Sequence, residues 1–155
     1  MLFQLRNLSE QQYKLAMDAP ILVGILIGSA DGILSEKEVN RLRELIQTKV
    51  YSEKNDVHLL YKKLAEDELN DNITRLAAQT AEFPTIELKE RFLIERLQGL
   101  NKIWPKMDHG YAIQYHKSIR DIAIAVANAS GGVLGMGRIT YEEGELMDLK
   151  FINKP

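Results

Sequence analysis

The sequence predicts an all-helical fold, a compact bundle of about seven to eight helices, on three observations. Apolar residues recur at helical spacing along most of the chain. Serine or threonine followed three residues later by glutamate or glutamine marks several helix starts. No hairpin dipeptide lies between two alternating runs, so strand signals are weak. The 155 residues suit a single domain, 1–155, that is long enough to bury a core.

Two helices are predicted at the start of the chain. Ser9 and Gln12 form a capping box, which predicts a helix through about Met17. Pro20 fits the first turn of a second helix, where its missing N–H removes no bond. That helix lies within APILVGILIGSA (19–30) and is apolar nearly all round, which is typical of a buried central element. Its 12 residues are too few for a bilayer span, which needs about 20.

Four helices are predicted in the middle of the chain. Ser35 and Glu38 form a second capping box. Thr85 caps a long helix that Pro105 ends. The apolar stripes of these helices are Val39, Leu42, Ile46 and Val50; Val57, Leu60, Tyr61 and Leu64; Ile73, Leu76, Ala77 and Thr80; and Leu93, Leu97, Leu100 and Trp104.

Two further helices complete the prediction. One runs from about His109 to Ala129, and the last starts after Thr140, which forms a third capping box with Glu143.

Two segments of the chain share one pattern. SADGILSEKE (29–38) matches NAS (128–130) followed, after six residues, by GRITYEE (137–143). Each copy has an apolar helix, a small-residue turn with glycine, an aliphatic residue and a capping box. This predicts an internal duplication of a helix–turn–helix unit. The glycine-rich stretch 131–137 is then an enlarged turn rather than a phosphate loop, because an alanine-rich helix precedes it and no Lys-Ser or Lys-Thr follows.

Small residues predict how the two duplicated helices pack. Gly24 and Gly28 lie four apart in the first copy, and Ala123 and Ala127 lie four apart in the second. Because such spacing lets helix axes approach closely, we expect these helices to pack centrally with both turns at the same end.

The segment SADGILSEKEV, repeated in degenerate form as NASGG…RITYEEGEL, resembles the TerB-like tellurite-resistance family. The domain of that family also occurs at the N-terminus of a membrane-bound DnaJ-type co-chaperone. The resemblance covers most of the chain but not 101–121. It implies a helical bundle with neighbouring duplicated turns, no established enzyme activity, a role in stress-response complexes at the inner face of the membrane, and acidic turns suggested to bind metal. The second turn departs from this pattern, with Ser130 and Gly131 where the first has Asp31 and Gly32.

Asp31, Glu36 and Glu38 are the candidate metal ligands, since oxygen ligands suit calcium or magnesium. Their spacing does not match an EF-hand loop. We therefore favour a turn and capping role for Asp31, and for the pairs Ser35 with Glu38 and Thr140 with Glu143, because a helix start attracts carboxylates without any metal.

Histidines and aromatic residues leave further alternatives open. His109 and His116 are seven apart, whereas zinc on one helix prefers spacing of four, so solvated or hydrogen-bonded histidines are the favoured interpretation. Trp104, Tyr111 and Tyr115 fit either an exposed patch for a partner or the outer layer of the core.

Composition excludes several classes of function. A net charge of −2 and a pI of about 6.0 give no basic face for nucleic acid. Without cysteine, thiolate metal sites and cysteine nucleophiles are excluded. The first residues lack the pattern of a signal peptide, so we expect a cytoplasmic protein without a transmembrane segment.

Three functions remain at this point. The first is a non-catalytic module of the TerB-like stress-response type, without a cofactor, that binds a protein partner, with homo-oligomers also open. The second is a divalent-metal-binding module that uses the ADG-x-x-S-x-x-E turn. The third is a small enzyme with scattered carboxylates, although no local signature of a catalytic pair or triad is present.

Overall fold

The computed structural model describes residues 1–29, 34–129 and 146–155, and these ranges are all-helical and compact, as predicted. No strand occurs within them. The α-helices are α1 Glu10–Gly28, α2 Glu36–Ser52, α3 Val57–Glu66, α4 Leu69–Ala81, α5 Ile86–Gln98 and α6 His109–Ala129. Short 3-10 helices lie at Phe3–Leu5, Gly99–Lys102 and Trp104–Lys106.

The described residues thus contain six α-helices, fewer than the seven to eight predicted. One difference is at Pro20, because the two helices predicted around it form the single helix α1. The other is at the end of the chain. The helix predicted after Thr140 lies mostly in 130–145, outside the described residues, and only Leu146 and Met147 are seen as helical.

Pro20 is accommodated inside α1 by a contact from another helix. A proline in a helix interior lacks the N–H that would bond the carbonyl four residues earlier, which is that of Ala16. The hydroxyl of Tyr115 in α6 donates to this carbonyl at 2.7 Å, and both residues are fully buried. The bond lost at Pro20 is therefore replaced by a side chain 99 residues away.

Helix α5 ends at Gln98, earlier than the end predicted at Pro105. The chain continues as two 3-10 helices, and Leu100, Ile103 and Trp104 are all buried along them. Leu100 and Ile103 are three residues apart, which is one turn of a 3-10 helix, so both side chains lie on the core side.

The core is built around α1, which contacts α2, α4, α5 and α6. Helices α1 and α6 run parallel: Ala16 meets Tyr115, and a Cβ at Gly28 would lie 3.3 Å from Val126. The predicted central packing of these two helices is confirmed, with their C-terminal ends together. The turns that follow them lie in 30–33 and 130–145, outside the described residues.

The role of Gly24 differs from the prediction. A Cβ at Gly24 would lie 2.6 Å from Cδ2 of Leu42, so this glycine allows close approach of α2 rather than α6. Gly28 does face α6, through Val126.

None of the helices in the described part of the chain is long and apolar enough to cross a membrane.

Candidate functional site

The start of α2 contains the predicted capping box. Ser35 Oγ accepts from the backbone N–H of Glu38 at 3.2 Å, and Glu38 Oε1 accepts from the backbone N–H of Ser35 at 3.1 Å. A Cβ at Gly28 would lie 3.5 Å from Glu38 Oε2, so the carboxylate lies beside the end of α1. The capping roles of Ser35 and Glu38 are confirmed, and these two residues connect the end of α1 to the start of α2.

The predicted metal ligands are only partly described. Glu36 is exposed and Glu38 is half-buried. Residues two apart on a helix are separated by about 200° around its axis, so these two carboxylates leave α2 in different directions. Asp31, Thr140 and Glu143 lie outside the described residues, as does the glycine-rich stretch 131–137. Within the described ranges, no three His, Asp or Glu side chains are grouped to hold a metal ion.

The two histidines of α6 are in different environments. His109 is exposed at the first position of the helix, whereas His116 is buried. The ring of His116 meets Trp104 edge-on, with centroids 5.9 Å apart. Burial, together with the charges of Arg120 and Lys154, lowers the pKa of His116. The two histidines therefore do not form a shared site, and His116 favours its neutral form.

Trp104, Tyr111 and Tyr115 belong to the core. All three are buried. The rings of Trp104 and Tyr115 pack edge-to-face with centroids 5.8 Å apart, and Tyr111 stacks on Tyr115 at 6.5 Å. The sequence left two alternatives open for these residues. The structure places them in the core, so the alternative of an exposed patch for a partner is wrong.

Helix α5 has an inverted distribution of polar and apolar side chains in its first two turns. Lys89 and Glu90 are buried, with exposed fractions of 7% and 5%. Leu88 and Phe92 are 41% and 37% exposed. Buried charges are unusual in a folded domain, and a group of exposed apolar side chains is more informative than a single exposed leucine. Helix α5 has buried charges and exposed apolar side chains within five residues. Packing within the core of this chain does not account for the apolar side chains on its outer surface.

The buried side of this helix start contacts the end of α1. Lys89 Nζ donates to the backbone carbonyl of Ser29 at 3.0 Å. Ser29 is the C-cap of α1, where carbonyl groups lack helical partners and the helix dipole favours a cation. A cavity of about 190 Å³ lies beside Lys89 and Leu34, and residues of α4 line one side of it. Lys89 thus links the start of α5 to the end of α1.

The outer side of α5 presents an aromatic patch, which we define as Phe83, Leu88 and Phe92. Phe83 lies just before α5, and its ring centroid is 4.9 Å from that of Phe92. Leu88 and Phe92 are four residues apart and so lie on one helix face. Arg91 and Glu95, both exposed, adjoin this face by helical position. An apolar centre with charged residues at its edge is the usual composition of a protein-binding surface.

The aromatic patch was not among the sites predicted from sequence. The α5 segment IELKERFLIERLQ contains Ile86, Leu88, Phe92, Leu93 and Ile94, which lie on more than one face. The stripe predicted from Leu93 onward is buried, as expected. The adjacent charged residues Lys89 and Glu90 are the one signal in the sequence, but a helical pattern does not show that they are buried.

Comparison with known proteins identifies no matching family model, no similar curated protein and no similar solved structure. The resemblance to the TerB-like family therefore stays a prediction from the repeated turn.

Proposed function

We propose that this chain is a non-catalytic helical module that binds a protein partner through the aromatic patch on α5. The observation that carries the proposal is the inversion of α5, where Leu88 and Phe92 face outward while Lys89 and Glu90 are buried. Contiguous exposed apolar groups are costly in water and mark interaction sites more often than isolated ones do.

The same proposal takes the module to be of the TerB-like stress-response type, cytoplasmic and acting at the inner face of a membrane. Two features support the resemblance on which this part rests. The repeated turn pattern in the sequence agrees with a duplicated helix–turn–helix unit. The parallel packing of α1 and α6, with Gly28 next to Val126, is the arrangement such a duplication would produce.

The partner surface that fits the aromatic patch is apolar at its centre. Phe83 and Phe92 form a tilted pair with an interplanar angle of 36°, and Leu88 extends the surface along the helix. A partner would bury an aliphatic or aromatic side chain against this pair, while its polar groups meet Arg91 and Glu95. Truncation of residues at the centre of such a contact typically causes the largest loss of affinity.

Site-specific photo-crosslinking in cells tests this function. A photoreactive phenylalanine at position 92 is expected to give a discrete adduct with a protein partner. The same group at position 113 is the matched control, because Ile113 is 43% exposed but belongs to α6. It is expected to give no such adduct.

The identified partner is then purified and its affinity for the chain measured by calorimetry. Phe92→Gln and Leu88→Gln are each expected to weaken binding about tenfold or more, and Ile113→Gln less than about threefold. Equal adducts from positions 92 and 113, or unchanged affinity of Phe92→Gln, would contradict the proposal.

A further inference from the structure

The segment 146–155 packs across the 3-10 helices and α6. Its apolar residues Leu146, Leu149, Phe151 and Ile152 are all buried. Gln98 Nε2 donates to the carbonyl of Phe151 at 3.3 Å, and Trp104 Nε1 donates to the carbonyl of Asn153 at 2.9 Å. Four buried apolar side chains and a few side-chain hydrogen bonds therefore hold this segment in place.

His116 lies at this contact with a buried nitrogen that has no partner. Among the described residues, neither His116 Nε2 nor Arg120 Nε has a hydrogen-bond partner, and both atoms are shielded from solvent. The rings of His116 and Trp104 pack edge-to-face, and the same indole donates to the carbonyl of Asn153. His116 is thus connected to the segment through one intermediate side chain.

The charges around His116 are cationic on both packed elements. Arg120 lies one turn further along α6, and Lys154 belongs to the segment; both disfavour a proton on the imidazole. The nearby carboxylate of Asp148 is bonded to Arg120 at 2.8 Å and also lies 3.8 Å from Lys150. The 3-10 helix contributes the neutral indole of Trp104.

We infer that protonation of His116 weakens the docking of segment 146–155, which makes this contact an acid-sensitive latch. An imidazolium at this position would be a third cation beside Arg120 and Lys154, with a buried N–H and no acceptor. Buried charges without partners are strongly unfavourable. Helix α6 packs on α1, α2 and α3, whereas the segment is short, so movement of the segment is the less costly way to admit water.

The direction of the pH effect follows from the pKa of His116, which is lowered while the segment is docked. Burial is the largest cause of the lowered pKa, followed by the charges of Arg120 and Lys154. When the segment is released, the imidazole regains a pKa nearer its ordinary 6.5. The released form therefore binds the proton more readily. Docking has its full stability above pH 6.5 and loses stability as the pH falls from there toward the docked pKa.

Amide hydrogen exchange of the full chain tests the latch, read at Ile152 and Asn153. The amide of Asn153 donates to Asn101 Oδ1 at 2.7 Å and that of Ile152 to the carbonyl of Leu149 at 2.9 Å. After correction for intrinsic exchange, we expect their protection to fall about threefold or more between pH 7.5 and pH 5.0. Amides of α1 should keep their protection.

Three variants make the test specific. His116→Gln is expected to remove the pH dependence, while His109→Gln, which changes an exposed histidine of the same helix, retains it. Lys154→Gln is expected to reduce the fall in protection, because one of the two cations is absent. If His116→Gln does not fold, the ring-proton NMR titration of wild-type His116 must share its midpoint with the loss of amide protection.

The inference is overturned if protection at Ile152 and Asn153 is the same at both pH values. It is equally overturned if the fall persists in His116→Gln, if the two midpoints differ, or if α1 amides lose protection in parallel, which would indicate global unfolding.

Discussion

Replacing Tyr115 by phenylalanine removes the hydroxyl that bonds the Ala16 carbonyl inside α1. Pro20 has no N–H to offer that carbonyl, so the change leaves a fully buried acceptor without its donor. Burial raises the pKa of Tyr115, so the phenol keeps its proton at neutral pH and can donate. The effect of Tyr115→Phe should therefore depend on which residue occupies position 20.

The magnitude follows from the cost of an unsatisfied buried group. With proline at position 20, Tyr115→Phe is expected to lower the free energy of unfolding by about 1–3 kcal/mol. With Pro20→Ala, the new backbone N–H can bond Ala16, so the same loss of a hydroxyl should cost only about 0.5–1 kcal/mol. The difference, a coupling free energy of about 0.5–2 kcal/mol between positions 20 and 115, measures the replacement of the missing helical bond.

Urea denaturation of the wild type, both single variants and the double variant provides the four free energies. Tyr61→Phe is the matched control, because Tyr61 is also fully buried but its hydroxyl bonds Ser118 rather than α1. Pro20→Ala should not reduce the cost of Tyr61→Phe. A coupling below about 0.5 kcal/mol between positions 20 and 115, or equal coupling for position 61, would refute the reasoning.

Three further predictions concern the repeat region. Gly24→Ala should destabilise the fold by about 1–2 kcal/mol in urea denaturation, because its Cβ would lie 2.6 Å from the buried Leu42; unchanged stability would contradict this packing. Ser35→Ala should cost about 1 kcal/mol, similar to Ser9→Ala at the other capping box, and no loss in either would argue against capping. Asp31→Asn should change stability by less than about 1 kcal/mol in thermal melts with calcium and with chelator alike; a calcium-dependent rise in melting temperature that the variant lacks would instead identify a metal site.

Helix starts could be predicted from the sequence because their signals are local. Ser35 bonds Glu38 three residues on, and Thr85 bonds the amide of Leu88 at the same separation. The predicted range of α6, from His109 to Ala129, also agrees with the structure. Of the predicted site, Ser35 and Glu38 were placed correctly in their capping role for the same reason.

The tertiary structure decided what depends on contacts between distant parts of the chain. Pro20 lies inside one long helix, and the hydroxyl of Tyr115 in α6 supplies the donor that the proline lacks. On the buried side of α5, opposite the aromatic patch, the amino group of Lys89 likewise bonds Ser29, 60 residues earlier. A helical pattern determines that a segment forms a helix and which side chains share a face. Which face is buried is settled by the helices that pack against it, since the free energy of burial comes from surfaces brought together across the sequence.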